Sequence, residues 1–393
     1  MVCPRARSAG WARDPKPGGR YALDDARHRR NMHRNGSDEL LVGGDLTRFL
    51  ARGARPLERR PRSGTQIARY LQCQPRAARP RINTRDHFMA VQPEHLKASV
   101  GAGLLSFPVT HFTADGAFDP EEYRSHVAYL LEHSPAALFA AGGTGEFFSL
   151  GLDEFQSLVS ITVETAAGKT PVIAGVGYGG ALATEFARRA ERAGADGILL
   201  LPPYLVQVEQ EGLFRHVDAL CRAVRIGVIV YHRDNSLFEV DTVRRLCDAH
   251  PNLIGFKDGQ GNVEQLTCLL AALRDRLVYI GGMPTAEVFA SANRGIGVTT
   301  YSSAIFNFIP KFALRFYAAL QAGNRAFTST ALESFFVPYL ALRNRRRGYA
   351  VSIVKAGLRV VGRSAGPVRA PLIDLTAEED VLLAALIERT KGQ

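Results

Sequence analysis

GVIVYHRDNSLFEVDTVRRLCDAHPNLIGFKDG, residues 227–259, contains two short apolar runs, GVIVYH (227–232) and LIGFKD (253–258), separated by an amphipathic stretch. A continuous apolar run of this length reads as a strand covered on both faces, and an amphipathic stretch after it reads as the helix that does part of the covering. Both runs close on residues able to do chemistry, Tyr231 and Lys257.

The same rhythm extends in both directions from about residue 100. Further runs are GLLSFPV (103–109), AALFAA (136–141), PVIAGVG (171–177), DGILLLP (196–202), LVYIGG (277–282) and IGVTTY (296–301). Between them lie segments such as FDPEEYRSHVAYLLEH and EQEGLFRHVDALCRAV, with apolar residues at helical spacing. Eight strand–helix repeats close naturally into an α/β fold of the (β/α)8 TIM-barrel type. The alternative is a doubly wound open sheet, but no Gly-x-Gly-x-x-Gly opens a helix after the first run.

The expected organisation has three parts: a basic leader over 1–88, the barrel over 89–322, and extra C-terminal helices over 323–393. Residues 305–322 read as the last barrel helix, and further helical patterns cover about 324–343, 349–361 and 377–390. The surplus is too short for a core of its own, so it is expected to pack on the barrel or at a subunit contact. The run RNRRR (343–347) reads as a solvated helix end in preference to a site for an acidic substrate.

The net charge of +11 belongs to the leader, where twenty basic residues face eight acidic ones; the remainder carries 29 against 30. Its density of Arg, Pro and Gly without periodicity suggests disorder. Three explanations compete: a nucleic-acid-binding arm, a targeting peptide, or sequence upstream of a native start at Met89. No apolar segment follows Arg29 and Arg30, which disfavours targeting. The scattered aromatics form no nucleic-acid motif, so the upstream-sequence reading is preferred and nucleic acid is not an expected partner. No run approaches the length of a transmembrane helix, so no membrane is expected either. The five cysteines, Cys3, Cys73, Cys221, Cys247 and Cys268, are scattered without a Cys-x-x-Cys pair and fit a reduced cytoplasm. The histidines show no HExxH-like spacing, and no metal is expected.

Barrel enzymes collect reactive groups at the carboxyl ends of the strands, where the βα loops share one mouth. GGTGE (142–146), Tyr231, Lys257-Asp258-Gly259 and Thr299 to Ser303 should therefore meet on one rim. Burying an ammonium disfavours its charged form, so Lys257 could supply a free amine that attacks a carbonyl to form a Schiff base. Equally, Lys257 could leave the strand end toward solvent or pair with Asp258. Tyr231 could carry protons, or simply cap the barrel core. Gly143 and Thr144 could present backbone N–H groups and a hydroxyl to a carboxylate, although tight βα turns are often glycine-rich anyway. Glu146 is expected to anchor that loop. Gly282, closing the seventh run, is counted with the substrate-binding candidates. Ser302 and Ser303 could hold substrate hydroxyls, but capping of the next helix is the preferred reading.

GGTGEFFSL, PPYLVQVEQEGL, VYHRDN and GFKDGQGN together resemble the dihydrodipicolinate synthase/N-acetylneuraminate lyase superfamily of Schiff-base barrels, over about residues 98–390. With SFPVTHF (106–112), the chain is most similar to the branch acting on 5-dehydro-4-deoxyglucarate. The resemblance implies that Lys257 forms the imine with the keto carbon, Tyr231 relays protons, and Gly143 and Thr144 bind the adjacent carboxylate. It also implies loss of water and carbon dioxide to give 2,5-dioxopentanoate, with no cofactor, in a homotetramer or homodimer.

Three positions depart from the superfamily pattern. His232 replaces the Asn that commonly follows the tyrosine. Leu205, beside Tyr204, stands where the synthases contribute a second tyrosine from a neighbouring subunit. HRDNSLF (232–238) lacks their loop arginine, although Arg233 could bind a far carboxylate or pair with Asp234. A sibling aldolase is the nearest competing activity. A nucleic-acid-binding protein and a barrel that binds a keto acid without turnover are the others.

Overall fold

The structure is a computed structural model that describes residues 91–392; the leader over 1–88 and the start at Met89 lie outside the described residues. Eight parallel strands form a closed barrel in sequence order. They are β1 (Leu105–Ser106), β2 (Ala137–Ala140), β3 (Val172–Val176), β4 (Gly197–Leu200), β5 (Gly227–His232), β6 (Leu253–Asp258), β7 (Val278–Gly281) and β8 (Thr300–Ser303). The barrel shuts where Leu105 pairs with Ser302 and Ser106 with Ser303.

A first helix, α1 (Pro93–Gly101), precedes β1 and plugs the amino-terminal end of the barrel with Leu96 and Val100, both fully buried. Glycines starting β4 and β5 make room for it: a Cβ at Gly197 or Gly227 would lie 2.8 Å from Leu96 Cδ2. The interior is then filled by Leu105, Phe139, Ile173, Leu199, Ile229 and Ile254, the layered apolar packing of a closed barrel.

Outside the strands run α2 (Pro120–Leu131), α3 (Leu152–Ala166), α4 (Gly180–Arg192), α5 (Gln210–Ala223), α6 (Val240–Ala249), α7 (Val263–Leu273), α8 (Ala290–Gly295) and α9 (Pro310–Gln321). Asp119 caps α2 by accepting from Glu122 N–H, and Asn262 caps α7 through Gln265 N–H. Two boundaries differ from the sequence reading. IGVTTY places its first four residues before the eighth strand, where Gly297 turns with φ +104°. The helix expected from 305 begins at Pro310, since the residue before a proline is driven out of helical geometry, and Ile309 has φ −133° and ψ 57°.

The remaining helices are α10 (Arg325–Ala331), a π-turn at Leu332–Phe336, α11 (Val337–Arg343), α12 (Tyr349–Val360) and α13 (Ala377–Arg389). Phe335, Phe336, Tyr339, Tyr349 and Leu383 enter the same apolar core as the barrel helices, with Phe336 packed edge-on to Phe316 at 4.7 Å. Among the described residues, no helix is long and apolar enough to cross a membrane.

Candidate active site

Between β5 and β6 the register slips by one, from Val228 opposite Leu253 to Ile229 opposite Gly255. Side chains along a strand alternate between faces, so an extra residue resets which side each later one takes. Ile254 lies in the interior cluster while Phe256 packs in the outer core. Lys257, three positions beyond Ile254, is thereby turned inward at the carboxyl end, opposite Tyr231.

There the loops enclose a cavity of about 450 Å³. Lys257 and Tyr231 are both on its wall and almost wholly buried, at 5% and 7% exposure. Lys257 Nζ stands 3.8 Å from the centre of the Tyr231 ring and 4.8 Å from that of Phe107. Asp258 does not pair with it, because its carboxylate accepts from the N–H groups of Gln260 and Gly261. Nor does the lysine escape to solvent. Burial pulls its ammonium below the ordinary lysine range, and Tyr231 only partly opposes this.

The Tyr231 hydroxyl donates to Gly282 O at 2.7 Å and accepts from Arg233 Nη1 at 3.2 Å. Burial favours the neutral phenol, but the charges of Lys257 and Arg233 outweigh it and leave the group below the usual tyrosine range. Arg233 also meets Asp234 at 3.3 Å, so the loop ion pair and the contact to the phenol coexist. Gly282 has to be glycine for the lysine to pass: a Cβ there would lie 2.6 Å from Lys257 Cγ and 2.7 Å from Asp258 O.

Gly143 and Thr144 line the same cavity, and nothing lies within 4 Å of a Cβ built on Gly143. Their loop is held from below. Glu146, fully buried in left-handed geometry (φ 54°), pairs with Lys355 Nζ of α12 at 2.8 Å and accepts from Arg369 N–H at 2.9 Å. Thr110 Oγ1 donates to Gly145 O at 2.6 Å.

Ser302 reaches the cavity with its hydroxyl on Gly281 O at 3.3 Å, and Ser303 donates to the buried Glu287 at 2.7 Å. Neither caps a helix, which corrects that reading: the turn at Ile305–Asn307 has Ala304 at its N-cap and no side-chain cap. His232 braces the loop after β5, its Nδ1 accepting from Phe238 N–H and its Nε2 meeting Gln265 Oε1. Tyr204 and Leu205 stand exposed at the mouth.

All seven sequence candidates, Lys257, Tyr231, Gly143, Thr144, Gly282, Ser302 and Arg233, thus border one cavity. The RNRRR reading holds for Arg345 to Arg347, which are exposed, but Arg343 is half-buried and lines the wall. Phe107 and Lys355 were also missed. A lysine in the otherwise apolar centre of YAVSIVKAGLRV was the available signal for the latter.

The model of the dihydrodipicolinate synthetase family matches residues 101–390. The chain belongs to that family. Among curated family relatives, a probable 5-dehydro-4-deoxyglucarate dehydratase from Rhizobium rhizogenes is 58% identical over 302 residues, covering 77% of this chain and all of that protein. Its counterpart of the same name from Xanthobacter autotrophicus is 56% identical over 297 residues, covering 76% and 98%. The structure of a family member, dihydrodipicolinate synthase from Bacillus clausii, matches at a TM-score of 0.68 and 26% identity, over 75% of this chain and 99% of that one.

Proposed function

We propose that the chain is a Schiff-base lyase converting 5-dehydro-4-deoxy-D-glucarate to 2,5-dioxopentanoate with loss of water and carbon dioxide. The observation that carries this is the buried, carboxylate-free amine of Lys257 facing Tyr231 on the cavity wall. The relatives named for that dehydratase, at 54–58% identity, support the substrate.

Lys257 attacks the keto carbon and water leaves, giving a protonated imine. The imine draws electrons from the neighbouring C–H bond, and Tyr231 relays that proton. Hydroxide then leaves from the next carbon as water, extending the double bond. The conjugated cation reaches the carbon bearing the far carboxylate, so breaking that C–C bond releases carbon dioxide and places its electron pair in the chain. Reprotonation and hydrolysis return Lys257 and the dioxo acid. Gly143 and Thr144 hold the carboxylate beside the imine, Gly282 leaves room for the amine, Ser302 meets a substrate hydroxyl, and Arg233 steadies the phenol and faces the far end.

We further propose that the barrel over 89–322 and the helices over 323–393 work together, in the cytoplasm, as a homo-oligomer. The exposed Tyr204, Leu205 and Val206 supply an apolar patch at the mouth that suits a subunit contact.

Borohydride reduction with the diacid, followed by peptide mass mapping, tests the assignment. A reduced adduct on Lys257 with carbon dioxide release is expected; pyruvate release without carbon dioxide would establish the sibling aldolase reaction instead.

A further inference from the structure

We propose that Arg343 holds the far carboxylate of the substrate and thereby selects a diacid over a keto acid without a far carboxylate. The proposal rests on the dehydratase reading above. Arg343 ends α11, and its guanidinium is clipped by Nη1 donating to Pro284 O and Thr285 Oγ1, both at 2.7 Å, while Nη2 donates to Asn344 Oδ1 at 2.9 Å. Every one of these acceptors is neutral. Among the described residues no carboxylate lies within ion-pair distance of it.

The charged groups that its field reaches besides the Tyr339 phenol are Arg233 and the carboxyl of Glu287, which is buried behind the wall and bonded to Ser303. Burial pushes that carboxyl up to about 7, so it supplies at most a partial counter-charge near neutrality. Arg233, the other guanidinium on the cavity, has Asp234 beside it and repels Arg343. A half-buried cation facing a cavity without an anion is costly, and an incoming carboxylate removes that cost. The fork held by Pro284 and Thr285 fixes its direction, so little side-chain entropy remains to be lost on binding.

Position explains the division of labour. Lys257 and the Gly143–Thr144 loop come from β6 and β2, whereas Arg343 comes from a helix beyond the barrel. The reactive end and the recognised end of the ligand are therefore read by separate parts of the chain.

The test compares Arg343→Gln and Arg343→Lys with the unaltered protein in borohydride trapping with the diacid and with pyruvate, which lacks a far carboxylate. The ratio of trapping rates at subsaturating ligand, diacid over pyruvate, should fall about tenfold or more in Arg343→Gln, the loss of one charge-assisted contact, and less in Arg343→Lys. A ratio within about twofold of the original in both variants, whether or not the absolute rates drop, would mean that Arg343 only clips the Pro284–Thr285 loop. Absence of carbon dioxide from the diacid with the unaltered protein overturns the dehydratase reading separately. The trapping ratio still decides the role of Arg343 in that case, and any loss of folding in Arg343→Gln leaves Arg343→Lys to carry it.

Discussion

Lys257 and Tyr231 are direct register partners on adjacent strands, and the amine of one sits 3.8 Å above the ring of the other. This pairing couples the proposed nucleophile and the proposed proton carrier electrostatically. Removing only the hydroxyl, in Tyr231→Phe, should lower kcat by about 10²- to 10⁴-fold while borohydride with pyruvate still labels Lys257. Stopped-flow turnover and mass mapping together check this; turnover within about twofold of the original would remove Tyr231 from the proton path.

The same coupling sets a pH dependence. Burial lowers the Lys257 pKa first, the Arg233 charge lowers it further, and the phenol opposes both. In the proposed reaction the amine attacks only when neutral, so the acid limb of imine formation should lie below that of ordinary lysine chemistry. Arg233→Gln removes one of the depressing charges and should move that limb to higher pH. Trapping rates with pyruvate across a pH series read the shift, and movement toward lower pH would contradict the assigned sign.

Gly282→Ala tests the fit around the amine. Its Cβ meets Lys257 Cγ at 2.6 Å and backbone at Asp258 O, which cannot yield, so the lysine must bend away. Stability should fall by about 1–3 kcal/mol, as in other overpacked sites, with a much larger loss of imine formation. Urea unfolding beside adduct yield separates the two effects.

The Glu146–Lys355 pair is wholly buried, so removing one partner strands the other. Lys355→Met should cost about 3–5 kcal/mol, and Glu146→Gln added to it should recover most of that, since the amide can still accept from Arg369 N–H. Unfolding free energies of the two single variants and the double variant give the coupling directly.

Glu287 contributes the opposite pH behaviour from a salt-bridged acid. Its folded pKa of about 7 exceeds the ordinary 4.5. Between those values the unfolded chain has lost its proton and the folded one has not, so folding stability declines as pH rises, on the order of 3 kcal/mol in all. Glu287→Gln should match the unaltered protein near pH 4.5 and exceed it above pH 7. Urea midpoints at both ends of that window decide it; equal midpoints throughout would show that Glu287 is ionised in the folded protein.

Much of the barrel is legible because each strand must be apolar on both faces, and VIAGV, GILL and LIGFKD say so without help. The candidate residues are legible for a related reason: a Lys or Tyr ending such a run has few places to go. What could not be read depends on contacts distant in sequence. The register slip that turns Lys257 inward involves ordinary apolar residues, and Ile254 looks like any core isoleucine. Arg343 opens a run of arginines, and only the fold separates it from Arg345 to Arg347. The plugging role of α1 likewise emerges only when Gly197 and Gly227 are brought beneath Leu96.

The ion pair between Glu146 and Lys355 stitches the turn after β2 to a helix more than two hundred positions later. An engineer who transplanted only the eight-stranded unit would carry over Lys257 yet leave that turn without its fastening and the mouth without α11 and α12. On the proposed reading such a graft would keep its amine and lose its discrimination, so the tail of the chain would belong to the catalyst as much as the strands do.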